Sequence, residues 1–329
     1  MDLALKYRPK TFEDVVGQHF VTEILKKQIE THTNKNSYLF CGAHGCGKTT
    51  CARIFANEIN HNQGQPIEID GASNNGVDNI RALISDAQMS AVDADYKCYI
   101  IDEAHMITTA GWNAALKLVE EPPLHCIFIF CTTNPEKIPS TILSRVQRFD
   151  FKKIPVTQIA GRLAFILLKE NISTFEKEAL NRIAVLSDGH MRDAIKILDS
   201  CLDVDKNITV ELVESLFGLV KQESVDQIIN ALLNKNLKGC MEEYEHCKSM
   251  SFDGVKLYEA VLGSVFDLEL SFYVPNMFTY SSLSALKTKE SAMLVKHLAS
   301  LMYENKINLT RDNADTIIKY IFIKWCANE

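Results

Sequence analysis

Residues Gly42-Ala43-His44-Gly45-Cys46-Gly47-Lys48-Thr49 match the pattern G-x-x-x-x-G-K-[ST]. They follow a short apolar run, Ser37–Cys41, and precede a helix-forming stretch from Lys48, the flanks this pattern requires. Glycines let the backbone curl so that successive N–H groups face phosphate oxygens. The helix N-terminus adds a field that favours an anion. Lys48 then reaches the β- and γ-phosphates of a nucleotide, and the Thr49 hydroxyl ligates Mg²⁺. Downstream, Cys98–Glu103 reads C-Y-I-I-D-E, an apolar strand ending in two acids. Ionised acids at the end of a buried strand need compensation. Asp102 fits Mg²⁺ through its water shell, and Glu103 fits a role in positioning and activating an attacking water.

Three further groups stand at places where phosphoryl chemistry could use them. Thr132-Thr133-Asn134 ends the apolar run Cys126–Thr132, and its hydroxyls suit a γ-phosphate or a water. The same residues read equally as an ordinary strand end, with Asn134-Pro135 as a turn. Ser144-Arg145-Val146-Gln147-Arg148 and Gly189-His190-Met191-Arg192-Asp193 each offer an arginine. An arginine in a helix's first turn gains nothing from the helix dipole, so a phosphate is one partner that would hold Arg192 there. Chemistry alone leaves Arg145 and Arg192 as solvated side chains. His105, His125 and His190 have no ligand-spaced partners and read as packing or surface residues. Trp112, on an amphipathic stretch, reads as core.

The elements that must position these groups follow from periodicity. Short apolar runs at Ser37–Cys41, Lys97–Asp102 and Cys126–Thr132 predict strands, and Pro66–Asp70 (PIEID) also reads as one. Helical spacing at 18–30, after Lys48, at 74–89 and at 110–121 alternates with them, the last stopping at Pro122-Pro123. Alternating β and α elements predict an α/β fold whose parallel sheet is covered on both faces. After Pro155 only helical patterns follow, at 157–170, 174–186, 191–202 and across 209–329, with breaks near Gly218, Gly254 and Pro275. This predicts three parts: residues 1–154 as an α/β domain, 155–218 as a small helical domain, and 219–329 as a second helical domain.

Composition bounds the function classes. With 47% hydrophobic and 23% charged residues in 329, the chain is neither fibrous nor mainly disordered. Its longest apolar run is Cys126–Cys131, too short to span a bilayer. The N-terminus, MDLALKYRPK, lacks a secretory h-region, so ten reduced cysteines in a cytoplasm are expected. No CxxC pair supports a zinc site. A net charge of −7 excludes coating of nucleic acid by charge alone, so any DNA binding needs a local basic surface.

Taken together, these motifs resemble the gamma/tau family of sliding-clamp loader ATPase subunits of bacterial DNA polymerase III, in the AAA+ superfamily. The matching residues run in order: Tyr7-Arg8-Pro9-Lys10-Thr11-Phe12 with Val15-Val16-Gly17-Gln18; the Gly42–Thr49 loop; Ile69-Asp70-Gly71-Ala72-Ser73 with Gly76-Val77-Asp78. Asp102-Glu103-Ala104-His105-Met106, Trp112-Asn113-Ala114 and Leu118–Pro123 continue the match, as do Thr132–Pro135, Ile138–Arg145 and Gly189–Ala194. The resemblance is dense over residues 4–200 and rests only on helical pattern beyond. It implies an AAA+ P-loop domain with a parallel sheet, then an all-helical lid and an all-helical collar.

The resemblance also implies roles. Tyr7, Arg8 and Val16 would border adenine, and Gly42, Ala43, His44, Gly45, Cys46, Gly47, Lys48, Thr49 and Thr50 would hold the phosphates. Thr133 would be sensor 1, Arg192 sensor 2, and Arg145 an arginine finger acting on ATP in an adjacent subunit. Thr49 and Asp102 would hold Mg²⁺. Expected partners are other clamp-loader subunits in a five-subunit spiral, a sliding clamp and primer–template DNA, with no membrane.

Three departures qualify the match. Ala56–Gln65 is a short polar connection where the family usually has a four-cysteine module, which predicts no zinc. Val146 replaces the usual cysteine after the finger arginine. The chain stops at Glu329 without a long tail, a compact form that would suit a phage or a reduced replication system and hence a bacterial or host cytoplasm. A structural subunit that does not hydrolyse ATP is one rival, disfavoured by the intact Lys48, Thr49, Asp102 and Glu103. A branch-migration helicase is a second, disfavoured by Ser144-Arg145 and Glu120-Glu121-Pro122-Pro123. A P-loop kinase is a third, with no acceptor site in view. Replacing the lysine, Lys48→Ala, is expected to abolish tight nucleotide binding, measured by titration calorimetry with ATP.

Overall fold

The computed structural model describes residues 2–91, 93–249, 253–274 and 289–327. The chain forms two compact units, Met1–Thr209 and Val210–Glu329. This boundary falls one helix ahead of the division expected at 218.

The first unit runs α1 (Leu3–Lys6), α2 (His19–Glu30), β1 (Ser37–Cys41), α3 (Lys48–Ile59), β2 (Ile67–Asp70), α4 (Val77–Ala87), β3 (Lys97–Asp102), α5 (Thr109–Glu120), β4 (Cys126–Thr132), α6 (Ser140–Leu143) and β5 (Gln147–Asp150). Three helices, α7 (Val156–Lys169), α8 (Lys177–Leu186) and α9 (Met191–Val204), complete it. The strands form one sheet in the order β2-β3-β4-β1-β5, every pairing parallel. All five residues of β1 and all seven of β4 are buried, as continuous apolar runs in a two-sided parallel sheet must be.

Side chains alternate between the faces, with a core on each side. Tyr38, Phe40, Ile127 and Ile129 pack with Leu25 of α2 and Cys51, Ala52 and Phe55 of α3. Leu39, Tyr99, Phe128 and Phe130 pack with Ile80 and Leu83 of α4 and with Trp112 and Leu118 of α5. Thr108 caps α5 by accepting from the Gly111 N–H at 3.1 Å. Pro122-Pro123 follow its end, where proline cannot continue a helix.

The strand β5 is absent from the sequence reading. It is four residues long, contains two charged residues and buries only Phe149, so it carries no apolar run. It adds to the free side of β1, with Cys41 opposite Asp150. The helix expected from Thr174 begins instead at Lys177, because residues 174–176 pair with the segment around Ile208.

The second unit is helical among its described residues: α10 (Val210–Phe217), α11 (Gln222–Leu233), α12 (Leu237–Ser249), α13 (Gly254–Tyr273), α14 (Lys289–Lys306) and α15 (Ala314–Ala327). Breaks fall at Gly218 and before Gly254 as expected, and also at 234–236 and 307–313. The break expected near Pro275 lies outside the described residues. Its core joins Ile228 and Leu232 of α11, Tyr258 and Val265 of α13, Leu298 of α14 and Ile321 of α15. Trp325 fastens the last helix to α11, its indole N–H donating to the Leu232 carbonyl at 2.8 Å.

Phe128 is fully buried and stacks on Tyr99 with ring centroids 5.1 Å apart. Phe128→Ala is expected to destabilise the first unit by about 3–5 kcal/mol, through lost burial and the cavity left behind. Leu124, 88% exposed one turn of chain before β4, is the control: Leu124→Ala should change stability by less than about 0.5 kcal/mol. Urea denaturation of the full chain, followed by circular dichroism, separates the two.

Candidate nucleotide site

The carboxyl ends of the strands bring the sequence motifs together, as parallel sheets do with their ligand sites. Immediately after β1, Gly42 sits at φ +152°, and its N–H donates to the Thr132 carbonyl at the end of β4. A Cβ there would stand 2.5 Å from the Phe151 carbonyl oxygen, so only glycine fits. Gly47, at φ +107°, turns the loop into the N-terminus of α3. Lys48 is 6% exposed, and its ammonium donates to the carbonyls of Gly42 and Ala43, both at 2.8 Å. The loop therefore holds its cation by its own oxygens, which is how a buried charge is tolerated. Cys46 is also buried in the loop; its thiol donates to the Ala43 carbonyl, and burial pushes its pKa up.

Gln18 holds this loop from outside. Its amide donates to the carbonyls of Cys46 at 3.1 Å and Lys152 at 2.7 Å, and accepts from the Lys152 N–H at 3.2 Å. One buried side chain so ties the loop to the exit of β5. Among the quoted motif residues, sequence reasoning had given Gln18 no physical task.

The acids of β3 meet the loop directly. The Thr49 hydroxyl donates to Asp102 Oδ2 at 2.8 Å. A hydroxyl and a carboxylate at the mouth of a phosphate-binding loop are hard oxygen donors, the ligand type that Mg²⁺ takes, so the pair fits that ion. Glu103 adopts a left-handed backbone at φ +46°, and its N–H donates back to Asp102 Oδ1 at 2.9 Å. That turn swings the Glu103 carboxylate away from the strand axis. Its oxygens lie 3.4 Å from His44 Nδ1, 3.3 Å from His105 Nδ1 and 3.4 Å from the Thr133 hydroxyl. His105 therefore belongs to the site, against its reading as plain packing; His125, bonded to the Ala87 carbonyl, and buried Trp112 keep theirs.

A cavity of about 220 Å³ lies over the loop. Tyr7, Arg8 and Val16 line it, with His44, Gly45, Cys46, Gly47, Lys48, Thr49, Thr50, Asp102, Glu103 and Arg192. Gly42 and Ala43 lie beneath, facing the Lys48 ammonium. Thr133 reaches Glu103 but not the cavity lining. Arg192 is in the first turn of α9, where a Cβ on Gly45 would lie 3.4 Å from its own Cβ. Arg145 is elsewhere. Its guanidinium donates to the Thr141 carbonyl at 2.6 Å and the Ser144 hydroxyl at 2.9 Å, and pairs with Glu120 at 2.8 Å.

Two contributors went unread. Arg162 of α7 lines the cavity and donates to the Tyr7 carbonyl at 3.1 Å; burial lowers its pKa. Glu170, just past α7, accepts from both the Tyr7 hydroxyl and Lys6. Helix α7 thus grips Tyr7 at its backbone and at its ring tip. The available signal for Arg162 was a cation within the apolar stripe Ile159, Leu163, Ile166.

Two family models match stretches of the first unit. The family described as DNA polymerase III, delta subunit, matches residues 65–155, and the DNA polymerase III clamp loader subunit, ATPase lid domain, matches residues 158–202. Among solved structures, the RuvB Holliday junction branch migration motor of Thermotoga maritima aligns with a TM-score of 0.55 at 19% identity, over 69% of this chain and 79% of that one. That likeness shows the shared fold. DNA polymerase III subunit tau of Bacillus subtilis is 37% identical over 303 residues, 85% of this chain but 52% of that protein. The chain spans about half the length of such tau relatives. DNA polymerase III subunit gamma of Buchnera aphidicola is 33% identical over 297 residues, 84% of this chain and 80% of that protein. Similarity at this level, over four-fifths of a relative's length, places the chain in the gamma/tau family of DNA polymerase III subunits.

Proposed function

We propose that the chain is an ATP-hydrolysing motor subunit of a sliding-clamp loader, working with DNA polymerase III in replication. The observation that carries this reading is the Thr49–Asp102 hydrogen bond of 2.8 Å with Glu103 turned beside it, at the mouth of the Lys48 loop. The loop N–H groups and the Lys48 ammonium bind the phosphates. Thr49 and Asp102 would hold Mg²⁺, which would supply neutralising charge to the phosphate oxygens. Glu103 accepts a hydrogen bond from the attacking water and aims it, and Thr133 stands next to that carboxylate. Arg192 reaches the phosphates from α9. Tyr7, Arg8 and Val16 form the wall that borders the base.

Arg145 lies outside the cavity lining, in keeping with a finger that serves a neighbouring subunit's ATP. Residues 1–154 then form the ATP-binding domain, 155–218 the lid and 219–329 the collar that holds a five-subunit ring. The other partners are the sliding clamp and primer–template DNA, in a cytoplasm of bacterial type. A branch-migration motor shares the fold, but relatives at 33–37% identity are polymerase subunits. A subunit that does not hydrolyse ATP would have no use for the intact Lys48, Thr49, Asp102 and Glu103.

The test is steady-state ATP hydrolysis by the full chain, alone and with a sliding clamp and primed DNA. Stimulation by both together supports the reading; hydrolysis indifferent to both points to a different AAA+ machine. Glu103→Gln should lower kcat on the order of 100-fold while nucleotide affinity stays within about threefold. Arg145→Ala should lower kcat on the order of 1,000-fold in the assembled oligomer only. An equal loss in a monomer would remove the role in trans.

A further inference from the structure

Glu103 can aim a water only if its own carboxylate is aimed, and three side chains stand close enough to do this. The Thr133 hydroxyl has one proton and two acceptors in reach: Asn134 Oδ1 at 2.9 Å and Glu103 Oε2 at 3.4 Å. The hydroxyl is shared between them, so Thr133 gives Glu103 Oε2 only a long, divided hydrogen bond. His44 approaches the other oxygen from an exposed position on the loop. The donor in reach of Oε2 from an enclosed position is His105 Nδ1, at 3.3 Å, on a side chain that is 10% exposed.

That nitrogen has a second neighbour. It lies 3.2 Å from the hydroxyl of Thr132, which is fully buried and already accepts from the Asn134 N–H at 3.1 Å. A neutral imidazole nitrogen either donates or accepts. With its proton on Nδ1, His105 has the Glu103 carboxylate 3.3 Å away as an acceptor; with its proton on Nε2, it accepts from Thr132. Thr132 is also the residue whose carbonyl receives the Gly42 N–H of the phosphate loop. The loop backbone, Thr132, His105 and Glu103 are therefore successive neighbours, with His105 Nδ1 bonding to one side at a time.

We propose that His105 is a positioning residue for Glu103, its Nδ1 bonding either to the carboxylate or to the Thr132 hydroxyl so that the tip of β4 sets the direction of the water-aiming group. This rests on the reading of Glu103 given above. The two partners of Nδ1 compete, so a small shift of the β4 tip moves the hydrogen bond from one to the other and releases or engages the carboxylate.

The experiment uses the full-length chain with His105→Ala, His105→Asn and His105→Gln, beside Glu103→Gln. An asparagine amide reaches the place of imidazole Nδ1, whereas a glutamine amide reaches the place of Nε2. Readouts are kcat for ATP, the Kd of ADP, and the Kd of ADP with aluminium fluoride as an analogue of the transferring phosphoryl group. His105→Ala should lower kcat between about 10- and 100-fold and weaken the fluoride complex, with the Kd of ADP unchanged. His105→Asn should recover most of the loss and His105→Gln little of it. In the Glu103→Gln background, His105→Ala should cost nothing further.

Wild-type turnover in His105→Ala overturns the proposal. So does equal rescue by glutamine, an equal loss of ADP binding, or an additive loss in the double variant. Wild-type turnover in Glu103→Gln overturns the role of Glu103 and the proposal with it. An inactive Glu103→Gln beside a fully active His105→Ala removes the positioning role alone.

Discussion

The parallel pairing of β1 with β4 is the constraint on which the site depends. Its register sets Cys41 opposite Thr132, so both strands end at one level. The loop after Cys41 and the hydroxyl pair after Cys131 then emerge side by side. Pairing of β3 with β4 and β2 with β3 carries the same level outward to Asp102 and Asp70. A one-residue slip in any strand would turn every side chain to the opposite face. Because both faces are packed with aromatic and branched residues, that slip would expose one core and overfill the other. Burial of the middle strands is thus what places an ammonium, a hydroxyl and two carboxylates within reach of one another.

The same burial makes the charges costly, and the loop geometry answers this locally. Lys48 is enclosed but held by two carbonyls. Asp102 receives the Thr49 hydroxyl and the Glu103 N–H, one on each oxygen. Gly71 closes the approach from the β2 side, its N–H donating to the Asp102 carbonyl at 2.7 Å, where a Cβ would stand 2.8 Å from that oxygen. Asp102 of β3 is tied to α3 through Thr49, and the Gly42 N–H ties the loop after β1 to the end of β4. The site is cross-braced between strands, not built on a single loop.

Much of this was legible in the chain because the signals were local. Three of the five strands are apolar runs and β2 alternates, and the loop motif and the paired acids are contiguous in sequence. What stayed hidden depends on contacts distant in sequence. β5 has no apolar run and exists because the open side of β1 needs a partner. Arg162 and Glu170 meet Tyr7 across more than 150 residues, and no spacing rule connects them. His105 stands in plain view in the sequence, yet its link to Glu103 requires the left-handed turn at φ +46° that folds the two side chains together. Arg145 and Arg192 could not be told from solvated arginines by chemistry alone; the resemblance to a family singled them out.

Arg145 illustrates what a held side chain does for an assembly. A free arginine loses up to about 2 kcal/mol of rotational freedom when it is immobilised. Here the Glu120 carboxylate, the Thr141 carbonyl and the Ser144 hydroxyl already restrict it within its own subunit. Part of that entropy is surrendered when the chain folds. On the proposed reading, an arginine finger restrained in this way within its own subunit brings a smaller ordering penalty to a neighbour's ATP than a freely rotating one.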